Sequence, residues 1–178
     1  APYAGRYPKL LLSGLALHLG LLTLAVAHAR WDLLPTRAHQ DRLLLETHGY
    51  QDLAARLANL PGPVFSDTYQ TAAMAEFWEP SLKVRQWPGI TRISEYIRNP
   101  ELMDLDAASL RRQGQFFLVQ NGVIPPRLPG FTPTEMTLLR DCAGESLQAM
   151  DLDAALDVQQ RCRKPVHEWY LTRYVPQI

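Results

Sequence analysis

Glycine, cysteine and charge imbalance are all scarce in this 178-residue chain, and each scarcity excludes something. Basic and acidic residues number 18 each, so the formal charge is zero and no basic patch points to nucleic acid. The 10 glycines form no phosphate-cradling loop, and no Ser/His/Asp signature is present. The five histidines, at 18, 28, 39, 48 and 167, are scattered, and their spacing makes no metal-ligand cluster. There are only two cysteines, Cys142 and Cys162, with His167 the one nearby partner, which is too little for a structural zinc site. No low-complexity segment occurs, and no second apolar run is long enough for a membrane span. By itself the chain does not look like a catalytic unit, and no cofactor is expected in it.

One long apolar run is present. Leu10 to Ala29 carries no formal charge and is bounded by Lys9 and Arg30. At about 1.5 Å per residue its twenty residues cover the roughly 30 Å of a bilayer core. Three readings compete: a membrane span, a signal peptide with small-x-small cleavage sites at Ala25–Ala27 or Ala27–Ala29, and the core helix of a soluble protein. A soluble core helix would carry one polar face, and this run has none. A signal peptide has a shorter apolar centre, of about 7–15 residues. Ser13, Ala16, Gly20, Thr23 and Ala27 recur at spacings of three and four, as small residues do where transmembrane helices pack closely. The span is the reading favoured, with other spans as its partners. His18 lies near mid-span and His28 near its far edge. Ionisable residues there suggest function, against the blander reading of neutral imidazoles bonded to a neighbouring helix.

The organisation expected is a transmembrane helix with a short flank over 1–30, a membrane-edge linker over 31–47 and an exported α/β or α+β domain over 48–178. The chain opens with Ala rather than Met and looks processed or cut from something longer. Its 14 prolines fall largely in linkers, at Pro61 and Pro63, Pro125 and Pro126, and Pro129 and Pro133. Thr47 reads as the N-cap of a helix from His48 to Asn59, stopped by Pro61-Gly62. "PVFSD" reads as a short strand. Asp67-x-x-Gln70 has the form of a capping box opening a helix over 68–79. "LKVRQW", "GQFFLVQN", "EMTLLRDC" and "VHEWYLTRY" read as strands. In an oxidising compartment Cys142 and Cys162 would pair, closing a loop of about twenty residues.

Three features invite a chemical reading. "MDLDAA" occurs at Met103–Ala108 and Met150–Ala155, and Asp-x-Asp grips metal in some sugar transferases. The competing role, acids capping helix-prone segments, is the stronger one. Ser66, Asp67 and Tyr69 lie where a strand ends and a helix begins, a crevice in which α/β sheets bind ligands. Against this, Asp67 reads more simply as a cap. Trp87, Arg92, Tyr96 and Arg98 in a long loop are candidate substrate contacts, or alternatively a packed Trp and Tyr with solvated arginines.

Several stretches together resemble the soluble tail of bacterial membrane glycosyltransferases of the GT-C type. These belong to the dolichyl-phosphate-mannose–protein mannosyltransferase superfamily, which includes the aminoarabinose transferases. "GPVFSDTYQTAAMAEFW" is similar to the strand and helix of those tails, and "GQFFLVQNG" to their central strand. "ITRISEYIRN" is similar to a segment in which Gln is expected where Glu95 stands. "RCRKPVHEWYLTRYVP" is similar to the closing strand. The resemblance implies the last span and periplasmic domain of an inner-membrane enzyme that passes a sugar from polyprenyl phosphate to an extracytoplasmic acceptor. The partners it implies are the bilayer, the other spans of the same protein, and the polyprenyl-phosphate sugar and its acceptor. The catalytic acids of such enzymes lie near their N-terminus, so no catalytic residue is carried over. The alternative is a stand-alone anchored or secreted binding domain without activity.

Overall fold

The computed structural model describes residues 8–37, 40–87, 107–151, 162 and 164–177. Helix α1 (Pro8–Trp31) is long and apolar enough to cross a membrane. Its leucines are exposed along the whole length, from Leu10 at 72% to Leu24 at 44%, so it contributes nothing to the core of the domain. The hydroxyls of its small-residue stripe are satisfied within the helix. Ser13 Oγ donates to the carbonyl of Leu10 (3.1 Å) and Thr23 Oγ1 to that of Leu19 (2.8 Å).

Beyond α1 the chain forms an α/β fold. Helices α2 (Arg42–Thr47) and α3 (Tyr50–Ala58) lead into strand β1 (Val64–Ser66), helix α4 (Tyr69–Trp78) and strand β2 (Val84–Gln86). Helix α5 (Ala107–Gln113) precedes β3 (Phe116–Gln120), β4 (Phe131–Cys142), β5 (Gln148–Asp151) and β6 (Pro165–Pro176). The six strands form one mixed sheet in the order β2-β1-β3-β6-β4-β5. β1, β2 and β3 are parallel, and β6, β4 and β5 add antiparallel to one another beyond β3. The all-buried patterns of β1 and β3 follow from cover on both faces, which continuous apolar runs such as "FFLV" require.

The alternation along β3 sorts the core. Phe117 and Val119 face Tyr50, Leu53 and Leu57 of α3 and Ala72 and Ala75 of α4. Phe116 and Leu118 face the other way, against Phe65, Leu110 of α5, Leu128, Phe131 and Tyr174. The Phe116 ring stacks on Tyr174 at 5.1 Å and meets Phe131 edge-on at 5.0 Å.

Several expectations are corrected. The linker over 31–47 contains a helix, α2, which Thr47 closes rather than opening the next one; its hydroxyl donates back to the Leu43 carbonyl at 2.6 Å. The following helix starts at Tyr50, not His48, because His48 is drawn away to Asp141 and Gly49 makes the turn at φ +74°. Asp67 does not cap α4. Thr68 does, its Oγ1 accepting from the Thr71 N–H, while Asp67 is turned to Asn121. Pro133 lies in β4, beside a register shift between Pro133 and Glu135, where a missing N–H is tolerated. In the second "MDLDAA" copy, Met150 and Asp151 sit in β5 and not at a helix start. The rest of that copy, and residues 103–106 of the first, lie outside the described residues.

Candidate functional site

The strand directions bring the functional candidates to one end of the sheet. β1 and β3 end at Ser66 and Gln120, and β4, which runs the same way, ends at Cys142 beside the start of β6. The foot of α1, helix α2 and the start of α3 gather at this carboxyl end.

At the ends of β1 and β3, Ser66 is fully buried and its Oγ accepts from the Thr68 N–H at 3.2 Å. Asp67 bridges the two strands. Its N–H donates to the Val119 carbonyl (3.0 Å), and its Oδ2 accepts from the Asn121 N–H (2.9 Å). Burial pushes the Asp67 carboxyl above its ordinary range, against the pull of that N–H. Tyr69 is half exposed at the first turn of α4. Asp67 is thus a tie between the ends of β1 and β3. Trp87 packs inward, stacked on Phe116 at 5.1 Å and edge-on to Phe65 at 5.1 Å. Arg92, Tyr96 and Arg98 lie outside the described residues. Cys142 and Cys162 are joined by a disulfide.

Two polar clusters escaped the sequence. The first is at the foot of α1. Leu34 N–H donates to His28 Nδ1 at 3.1 Å, which leaves the proton of a neutral ring on Nε2, and Nε2 donates to Asp41 Oδ2 at 2.6 Å. Asp41 also caps α2, accepting from the Leu44 N–H at 3.2 Å, and takes the Thr36 hydroxyl. Burial raises the Asp41 carboxyl, but these hydrogen bonds outweigh it and bring it down to about 2. Lys164, next to the start of β6, reaches back to Asp32. Ligand atoms of His28, Asp32 and Asp41 lie within 4.8 Å of one another, the spacing of a metal site. Both ring nitrogens of His28 are already engaged, and a lysine occupies Asp32. The cluster is a joint between α1 and the domain, satisfied from within the chain.

The second cluster couples positions 93 residues apart. His48 Nδ1 donates to both oxygens of Asp141, at 2.9 and 3.0 Å, and Asp141 has no exposed surface. The hydrogen bond to Asp141 raises the His48 imidazole above its usual range, more than burial lowers it. Gly49 makes the approach possible: a Cβ there would stand 2.4 Å from the Asp141 carboxyl carbon. On the far side, His167 stacks on Trp169 at 4.5 Å and contacts Tyr50 at 5.2 Å. Burial pushes the His167 ring down. The carboxylate holds the ring through Nδ1 and favours its protonated form. The one signal for this cluster in the sequence was the charged pair Arg140-Asp141 directly after Leu138-Leu139 in β4.

No protein-family model, curated protein or solved structure matches this chain.

Proposed function

We propose that this chain is the terminal span and extracytoplasmic domain of an integral-membrane glycosyltransferase of the GT-C type. It would be a non-catalytic portion of an enzyme that draws sugar from a polyprenyl-phosphate carrier. One observation carries the reading. The resembling stretches occur in family order, and three of them are the strand–helix unit β1–α4, the central strand β3 and the closing strand β6 that pairs with it. Two others support it. The apolar surface of α1 is left bare, as a helix packed among further spans would be when viewed alone. A disulfide in the domain suits an oxidising compartment such as the periplasm.

The domain's place in such an enzyme is to cover the extracytoplasmic mouth of the site and to contact the acceptor. An antibody against residues 48–178, used on membrane and soluble fractions of native cells, tests this. A detergent-extractable band several-fold heavier than the 20.2 kDa of this sequence is the expected result. A soluble band at or below that mass would overturn it and favour a released binding domain.

A further inference from the structure

Where α1 meets the domain, a groove of about 470 Å³ opens between its last turn, the start of α3 and the turn joining β4 to β5. Arg30 and Trp31 form its α1 wall, and His48, Asp52, Trp78 and Glu145 lie across from them. The groove holds both signs of charge, and of its groups His48 is paired with Asp141 behind it. Among the described residues, no ion pair joins Arg30 to Asp52 or to Glu145. The two acids meet neutral donors instead, Asp52 the N–H of Leu147 (3.1 Å) and Glu145 the amide of Gln148 (2.9 Å). Asp141 holds the His48 ring from behind through Nδ1, leaving Nε2 clear of that contact.

The position of the groove restricts what fills it. It lies at the end of a helix able to span a bilayer, beside an indole that is 65% exposed, at the level where tryptophan meets lipid headgroups. Val26 lines it and is itself exposed, so the groove runs directly onto the apolar flank of α1. An anionic head would meet Asp52 and Glu145 as well as Arg30 and His48. A quaternary ammonium has no N–H to give to a carboxylate. A head carrying both a phosphate and a primary ammonium satisfies both signs of charge.

The geometry points to a bound phospholipid with a phosphoethanolamine head: its phosphate on Arg30 and His48, its ammonium on Asp52 and Glu145, its acyl chains along α1 past Val26. This rests on α1 lying in the membrane and not on the transferase assignment. The test uses the full chain in nanodiscs made from equal parts of three lipids with identical acyl chains and ethanolamine, choline or glycerol heads. Lipids retained after mild detergent extraction are counted by native mass spectrometry. The ethanolamine lipid is expected to be retained about tenfold over the other two, one charge-assisted hydrogen bond being worth about that factor. E145Q, at an exposed position and checked for folding by circular dichroism, should abolish the preference, whereas R30Q, at the phosphate that the three lipids share, should lower retention of all three. Equal retention of the three lipids, or a glycerol-lipid preference that survives E145Q, overturns the proposal while leaving α1 in the membrane. A folded chain that elutes free of lipid overturns the membrane reading as well.

Discussion

The His48–Asp141 pair makes a prediction whose two halves differ in size. Asp141 has no exposed surface, and the His48 side chain keeps about 10% of its own. Replacing His48 by alanine strands a carboxylate that the fold holds away from water, and breaking a buried pair from one side costs about 3–5 kcal/mol. Water entering through the groove places the expected loss near the lower figure, about 3 kcal/mol. Asp141→Asn leaves an imidazole that can shed its proton, so only a charge-assisted hydrogen bond is lost, about 1.5–2 kcal/mol. The sign with pH follows from the raised His48 pKa. The contribution of the pair is fully present below the unfolded value near 6.5 and is lost as pH rises through the higher folded value. Thermal unfolding of the full chain in detergent micelles at pH 6, 7.5 and 9 reads this, at about 3–6 °C per kcal/mol for a domain of this size. The gap between parent and Asp141→Asn should be widest at pH 6 and should narrow or reverse by pH 9. A gap that is constant with pH, or an Asp141→Asn loss equal to that of His48→Ala, would refute the argument.

The same melting assay checks four further changes. Thr68→Ala removes the cap of α4 and should cost about 1 kcal/mol, whereas Gln70→Ala, at the expected capping-box position, should cost under about 0.5 kcal/mol. Gly49→Ala combines a left-handed φ of +74° with a Cβ 2.4 Å from the Asp141 carboxyl carbon and should cost more than about 2 kcal/mol; the loss should shrink in an Asp141→Gly background. Reducing the Cys142–Cys162 bridge should lower stability by about 3 kcal/mol, and alkylation should add mass only after reductant.

Much of the fold was legible because its signals are local. β3 is an apolar run between Gly114 and Asn121-Gly122, and β6 alternates through "VHEWYLTRY". The errors fall where a distant residue decides. Asp67 and Thr68 are both competent caps, and the choice is made by Asn121, 54 positions away, which claims Asp67. Position 48 suits a first helical turn until Asp141 draws the imidazole out of it. β5 has only the four residues Gln148–Asp151, and its identity as a strand comes from pairing with β4, as in Leu138 with Met150. The candidate site divided in the same way. The β1–α4 boundary at Ser66 and Asp67 followed from the local pattern, while the His28–Asp41 and His48–Asp141 pairs have no spacing that a single sequence could show.

These contacts share one end of the sheet, and their continuity bears on how α1 is held. His28 in the last turn of α1 bonds to Asp41, which caps α2, and Asp32 just past α1 bonds to Lys164. Lys164 is two residues from Cys162, the disulfide leads to Cys142, and Cys142 follows Asp141, the partner of His48. The path from α1 into the sheet is thus short and is closed by buried polar contacts on one side and a covalent bond on the other. A flexible tether would need neither a buried histidine at the end of an apolar helix nor an aspartate serving two helices at once. A helix joined in this way is held in one orientation to the sheet, its last turn beside the sheet's carboxyl end and the charged groove.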